Sequence, residues 1–72
     1  MGYHIIEVEL DRKGDVVSRN VSPVQFSTRD EAEAMARNAA GSLAVHGYSH
    51  EGGYWWARDR RRVNYRFFVK AQ

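Results

Sequence analysis

Several residue types are missing or scarce in this chain of 72 residues, and each absence excludes a class of function. Cysteine is absent, so disulfide bonds, thiolate catalysis and cysteine-ligated zinc are excluded. Proline occurs once, as Pro23. Because proline has no amide donor, Pro23 predicts the end of a strand or a free sheet edge.

Long apolar runs are also missing. Met1 to Ile6 has neither a signal-peptide pattern nor the start of a membrane-spanning segment. We therefore expect a cytoplasmic protein that has no membrane partner.

Catalytic motifs are absent as well: there is no Ser-His-Asp arrangement, no nucleotide-binding glycine loop and no nucleophile motif. Glu7 and Glu9 project from one side of a predicted strand, roughly 7 Å apart by strand rise. Paired carboxylates at such distances can do acid–base work, but on an open sheet they more often face water or pair with a cross-strand Arg, here Arg19. We predict no enzyme, no catalytic residue and no cofactor.

A metal site is also not expected. His46, His50 and Glu51 are the candidate ligands, but a four-residue gap between histidines suits a metal only within one helix. Gly47 breaks the predicted helix between them.

One segment, at about residues 28–46, is predicted to be a helix because small and apolar residues recur with a 3.6-residue period. Thr28 and Glu31 match a capping box, with Ser27 as an alternative cap. The residues that share the apolar side are Ala32, Met35, Ala36, Ala39, Ala40, Leu43 and Ala44.

Strands are predicted at about 3–10, 15–21, 54–58 and 63–69 from alternating apolar and polar residues. The order β-β-α-β-β predicts an α+β fold with two layers, in which one helix packs on a four-stranded, mainly antiparallel sheet. Residues 1–72 form a single domain in this prediction.

The register of the last hairpin depends on its turn. A four-residue turn at 59–62 sets Trp56 opposite Tyr65 and leaves Trp55 and Ala57 facing outward. A three-residue turn reverses that parity and turns Trp55 and Ala57 inward. We expect the four-residue turn.

The segment Phe26-Ser27-Thr28-Arg29-Asp30-Glu31-Ala32, after a strand hairpin and before an Ala-rich helix, resembles several groups of small stand-alone bacterial domains of unknown function. The similarity covers residues 24–40. It implies this fold and a bacterial origin, and it carries over no functional residue.

Charge is unevenly distributed. Residues 1–57 have a balance of −3, whereas residues 58–72 carry six basic side chains against Asp59, a balance of +5. Such a basic end is typical of a domain with an anionic partner. The candidate contacts for an anion or nucleic acid are Arg58, Arg60, Arg61, Arg62, Arg66 and Lys70.

The side of the sheet away from the helix is the candidate interaction surface, and the predicted register places Ile5, Trp55, Ala57 and Phe68 there. A contiguous apolar surface favours association, so a homodimer formed through this face or through edge strands is the first hypothesis. The alternative is a nucleic-acid-binding module, in which Trp55 and Phe68 stack on bases and the basic side chains contact phosphates.

Overall fold

A computed structural model describes residues 2–71 as five strands and one helix around a single core. The elements are β1 Tyr3–Leu10, β2 Val16–Val21, α1 Arg29–Gly41, β3 Val45–Ser49, β4 Tyr54–Arg58 and β5 Asn64–Ala71. All strand pairs are antiparallel, and the sheet order is β2-β1-β5-β4-β3. The α+β class is confirmed, but the sheet has five strands where four were predicted.

The helix begins where the capping box predicts. The Glu31 amide donates to Thr28 Oγ1 at 3.2 Å, and the Thr28 hydroxyl donates to Glu31 Oε1 at 3.0 Å. Thr28 rather than Ser27 is therefore the cap.

The helix ends at Gly41, before the predicted boundary at about 46. The Ser42 hydroxyl donates to the carbonyl oxygen of Ala39 at 2.7 Å, satisfying one acceptor of the last turn. Val45–Ser49 then pairs with β4 as the unpredicted edge strand. Gly47 does not terminate the helix, because it lies in the middle of this strand.

The helix packs over β5, β4, β1 and β3 and, in residues 2–71, does not contact β2. Its small side chains Ala32, Ala36 and Ala40 are fully withdrawn from water. Small residues let the helix lie close to the sheet, where Ile5 and Phe67 supply the large buried side chains.

Candidate functional site

The two faces of the sheet differ in what covers them. Ile5, Ala57 and Phe67 pack with the helix in the core, and Trp55 is partly buried beside them. The opposite side, here called the open face, has no covering element within residues 2–71.

Three residues of the predicted interaction surface therefore lie on the wrong side for that role. Ile5, Trp55 and Ala57 face the helix, whereas Phe68 lies on the open face, opposite Ile6. The alternation of β1 was misassigned because both Ile5 and Ile6 are buried, at 7% and 8% exposed. A strand that is apolar on both sides leaves its inward side undetermined by pattern alone.

The connection between β4 and β5 explains the error in the last hairpin. The register sets Arg58 opposite Asn64 and Trp55 opposite Phe67, so residues 59–63 form a five-residue loop. The predicted four-residue turn is wrong. The alternative parity, with Trp55 and Ala57 inward, is the one observed, although its three-residue length is not.

Trp55 is held on the helix-facing side by specific contacts. Its indole Nε1 donates to Glu33 Oε2 at 2.8 Å. The Tyr48 ring packs edge-on against Trp55, with 4.8 Å between ring centroids. Trp55 is therefore part of the packing between helix and sheet.

The open face instead carries a cluster of aromatic and basic side chains, which we call the aromatic platform: Tyr54, Trp56 and Phe68, with Arg66 and Lys70. The rings of Tyr54 and Phe68 are 5.1 Å apart and tilted by 48°. Arg66 Cζ lies 4.9 Å from the Tyr54 ring centroid, and Lys70 Nζ lies 5.7 Å from that of Phe68. The three rings are half-buried, whereas both cations are exposed.

Trp56 extends the platform toward the β3 edge because its partner in the register is Gly47. A Cβ atom built on Gly47 would lie 2.7 Å from Cζ2 of Trp56. Gly47 therefore allows the indole to lie against the backbone of β3.

Charge on the open face has one sign. By the strand register, Arg19, Arg58, Arg66 and Lys70 lie on this face, and the strand residues beside them include no carboxylate. Glu7 and Glu9 lie on the helix-facing side, opposite Phe67 and Tyr65. The open face can therefore attract an anion without local competition.

The remaining predicted cations lie at one end of this face. Arg60, Arg61 and Arg62 are in the loop after β4, where Arg62 has a positive φ of 67°. Arg62 and Arg58 line a common cavity with Arg12, a residue of the β1–β2 loop. Arg12 was not predicted as a contact, because it is far along the chain from Arg58 and Arg62 and no local pattern links them.

The paired carboxylates act on a neighbouring tyrosine. Burial raises the pKa of Tyr65 above its ordinary value of 10.0, and the negative charges of Glu9, Asp59 and Glu7 raise it further. Arg19 does not face Glu7 and Glu9 as predicted, because it lies opposite Val8 on the open face.

The histidine candidates do not converge on a metal site. His46 lies in β3, and His50 follows that strand with its ring packed edge-on against Tyr48, 5.0 Å between centroids. Across residues 2–71, no group of three His, Asp or Glu side chains is placed to bind a metal ion.

Neither a protein-family model, a curated protein nor a solved structure matches this chain at a significant level. In the described part of the chain, no helix has the length and apolar character needed to cross a membrane.

Proposed function

We propose that this chain is a non-catalytic binding domain of the cytoplasm that binds single-stranded nucleic acid on its open face. The observation that carries the proposal is the pair of adjacent rings, Tyr54 and Phe68, whose centroids are 5.1 Å apart and each of which has a cation over it. Exposed aromatic faces stack on unpaired bases, and nearby Arg and Lys side chains contact the backbone.

The placement of the charges supports this partner over an apolar protein surface. Phe68 lies between Arg66 and Lys70 on the open side of β5, and the open face carries no carboxylate on its strands. A protein surface of general apolar character would leave these cations unpaired, whereas a polyanion neutralises them.

The experiment is a titration of tryptophan fluorescence with a single-stranded oligonucleotide at about 50 mM and about 200 mM salt. We expect saturable quenching that weakens steeply with salt, because phosphate contacts release counterions. The adjacent tryptophans provide a matched pair: Trp56→Phe should abolish most of the quenching, whereas Trp55→Phe should keep it. Quenching that depends on Trp55 and not on Trp56 would contradict the proposal.

A second substitution tests stacking separately from charge. Phe68→Ala should weaken binding by about 5- to 150-fold, the equivalent of about 1–3 kcal/mol per stacked base. Arg66→Gln should mainly reduce the salt dependence, by about 0.7 in the log–log slope for each phosphate contact that is lost. Equal affinity of both variants and the wild type would reject the platform as the binding surface.

Self-association is a second candidate, and the free edges of the sheet favour one location for it. The β2 edge has a register irregularity at Glu9/Leu10, carries Arg19 and is followed by Pro23, three features that discourage pairing with another strand. The β3 edge, Val45–Ser49, contains no Asp, Glu, Lys, Arg or Pro, and its register with β4 is regular. We infer that a homodimer forms by antiparallel pairing of β3 with its copy.

The test of this interface is the solution mass from light scattering. Val45→Lys places a charge on the β3 edge, where Val45 is 48% exposed, and should convert a dimer to a monomer. Val16→Lys makes the same change on β2, where Val16 is 61% exposed, and should leave the dimer intact. A wild-type monomer at all concentrations would reject the homodimer without affecting the nucleic-acid proposal.

A further inference from the structure

Three arginines, one from each of two loops and one from the end of β4, line one small cavity at the end of the open face. Arg12, Arg58, Arg62 and Asn64 line this open cavity of about 230 Å³, here called the arginine cavity, and all three arginines are exposed. The β1–β2 loop and the β4–β5 loop meet there because β1 and β5 are neighbours, with Leu10 opposite Asn64. The cavity is small for a drug-sized ligand but suits a compact anion.

The two loops are built alike. In the first, Asp11 Oδ1 accepts from the amides of Lys13 and Asp15, both at 2.9 Å, and Gly14 has a φ of 88°. In the second, Asp59 Oδ1 accepts from the amides of Arg61 and Val63 at 2.8 and 3.0 Å. Arg62 occupies the position equivalent to Gly14, with a φ of 67°.

This construction turns both aspartates toward the backbone of their own loops. Across residues 2–71 the ion pair found joins Arg29 to Glu33, so no carboxylate of that range pairs with the three arginines of the cavity. Arg58 Nε donates to Asn64 Oδ1 at 3.3 Å, a neutral acceptor that does not compensate the charge of the guanidinium.

The left-handed conformation of Arg62 is a second sign that this arginine serves more than the loop. Glycine adopts this conformation without steric cost, as Gly14 does in the companion loop, whereas a residue with a Cβ does not. The chain nevertheless has an arginine here, and it brings a third positive charge to a space already lined by two.

We propose that the arginine cavity is a phosphate-binding site. Guanidinium groups bind phosphate oxygens through paired N–H donors, and three of them around one small space match a single phosphate group. The site rests on the proposed function for its biological ligand: it holds a phosphate of the bound single strand. On the open face, Trp56 and Arg66 are the pair that follows Arg58 and Asn64 along β4 and β5, so a strand held in the cavity continues onto the aromatic platform.

The first test uses inorganic phosphate alone, so that its outcome does not depend on nucleic-acid binding. Phosphate is titrated at constant ionic strength, and the arginine Nε–H resonances are followed by NMR. We expect saturable shifts in the wild type and at least a tenfold weaker affinity in Arg12→Gln. Lys13→Gln removes the same charge from the neighbouring position, which does not line the cavity, and should change the affinity by less than twofold.

Equal weakening by Arg12→Gln and Lys13→Gln would overturn the proposal, since it would show only a general response to net charge. Absence of saturable shifts in the wild type would overturn it as well.

A second variant separates binding from folding. Arg62→Gly removes one guanidinium and places glycine at the left-handed position, so it should raise the midpoint of denaturant unfolding while weakening phosphate binding at least tenfold. Arg37→Gln removes one positive charge from α1, outside the arginine cavity, and should leave phosphate affinity within twofold. If Arg62→Gly is more stable and binds phosphate as tightly as the wild type, the cavity is not the site.

The third test identifies the source of the phosphate with three oligonucleotides of one sequence: 5′-phosphorylated, 3′-phosphorylated and without a terminal phosphate. A preference for one phosphorylated end that disappears in Arg12→Gln assigns the cavity to a terminal phosphate. Equal affinities that all fall in Arg12→Gln assign it to an internal phosphodiester. If Arg12→Gln does not change oligonucleotide binding, the cavity is rejected as a phosphate site for the strand and the aromatic platform is retained. If the protein binds phosphate but no oligonucleotide, the platform is rejected and the cavity is retained.

Discussion

Trp55 and Trp56 are adjacent in sequence and lie on opposite faces of the sheet, in surroundings that differ in nearly every respect. Trp55 packs beside the helix, and its indole N–H is bonded to Glu33. Trp56 lies against Gly47 on a face where the strand cations are Arg19, Arg58, Arg66 and Lys70. One tryptophan packs against the core, and the other is half-buried on the open face.

The comparison extends to the faces themselves. On the helix-facing side, small alanines allow close packing, and the carboxylates Glu7 and Glu9 lie near the margin of the core. On the open face the rings of Tyr54 and Phe68 pack against each other at a tilt of 48°. Arg66 lies over the first ring and Lys70 over the second. Aromatic residues therefore pack on both faces, and on the open face two of the rings lie beneath exposed cations.

The largest expected difference between the faces is in the free energy of unfolding that is lost when one phenylalanine ring of β5 is removed. Phe67, 5% exposed, faces the helix, so Phe67→Ala should reduce the free energy of unfolding by about 3–5 kcal/mol. Phe68→Ala, on the open face, should cost about 1–2 kcal/mol because its ring is already partly in water. Urea unfolding measures both.

Phe67→Leu is the milder substitute if Phe67→Ala does not fold, and it should still lose more stability than Phe68→Leu. A larger loss at position 68 would mean that the open face is covered, which would contradict the assignment of the two faces.

The second largest expected effect is on the contact between the Trp56 indole and the backbone at Gly47. Gly47→Ala places a Cβ against the indole, and we expect a loss of about 1–3 kcal/mol together with a changed Trp56 emission spectrum. Gly41→Ala is the matched control: no atom lies within 4 Å of its added Cβ, and it should stabilise the helix by up to about 1 kcal/mol. Similar stability of the two variants in urea unfolding would place Trp56 elsewhere.

The smallest effect is a pH dependence from the helix-facing side. Because the pKa of Tyr65 is raised in the folded state, its contribution to stability is complete below pH 10.0 and is lost as the pH rises through the raised value. Urea unfolding over this range should show the wild type losing stability more steeply than Tyr65→Phe. If the stability of both proteins changes with pH in the same way, burial and Glu9 do not raise the pKa of Tyr65.

The two hairpin loops show why part of this fold could be predicted and part could not. Asp11 to Asp15 contains Gly14 at the left-handed position, so the sequence marks it clearly as a turn. The loop at 59–63 uses the same aspartate contacts but has Arg62 at that position. Its length was therefore misjudged, and with it the faces of Trp55, Trp56 and Ala57.

The edge strand β3 was missed for a related reason. Leu43 and Ala44 continue the helical period, but the helix ends at Gly41, where the Ser42 hydroxyl donates to the Ala39 carbonyl oxygen. Val45–Ser49 then pairs with β4. The helical pattern of the sequence extends beyond Gly41, but the residues from Val45 onward form hydrogen bonds with β4 instead of continuing the helix. Those bonds depend on the position of β4, which no local pattern reveals.

By itself the sequence determined the α+β class, the cap at Thr28, the four strands with strong alternation and the excess of positive charge after residue 57. These properties follow from local propensity, side-chain period and composition, which neighbouring residues in the chain carry. The tertiary structure was needed to show which tryptophan lies on the open face and which sheet edge lacks charged residues and proline. It was also needed to show that Arg12, Arg58 and Arg62 line the same cavity. Those depend on register and loop length, where a change of one residue exchanges the two faces of a strand.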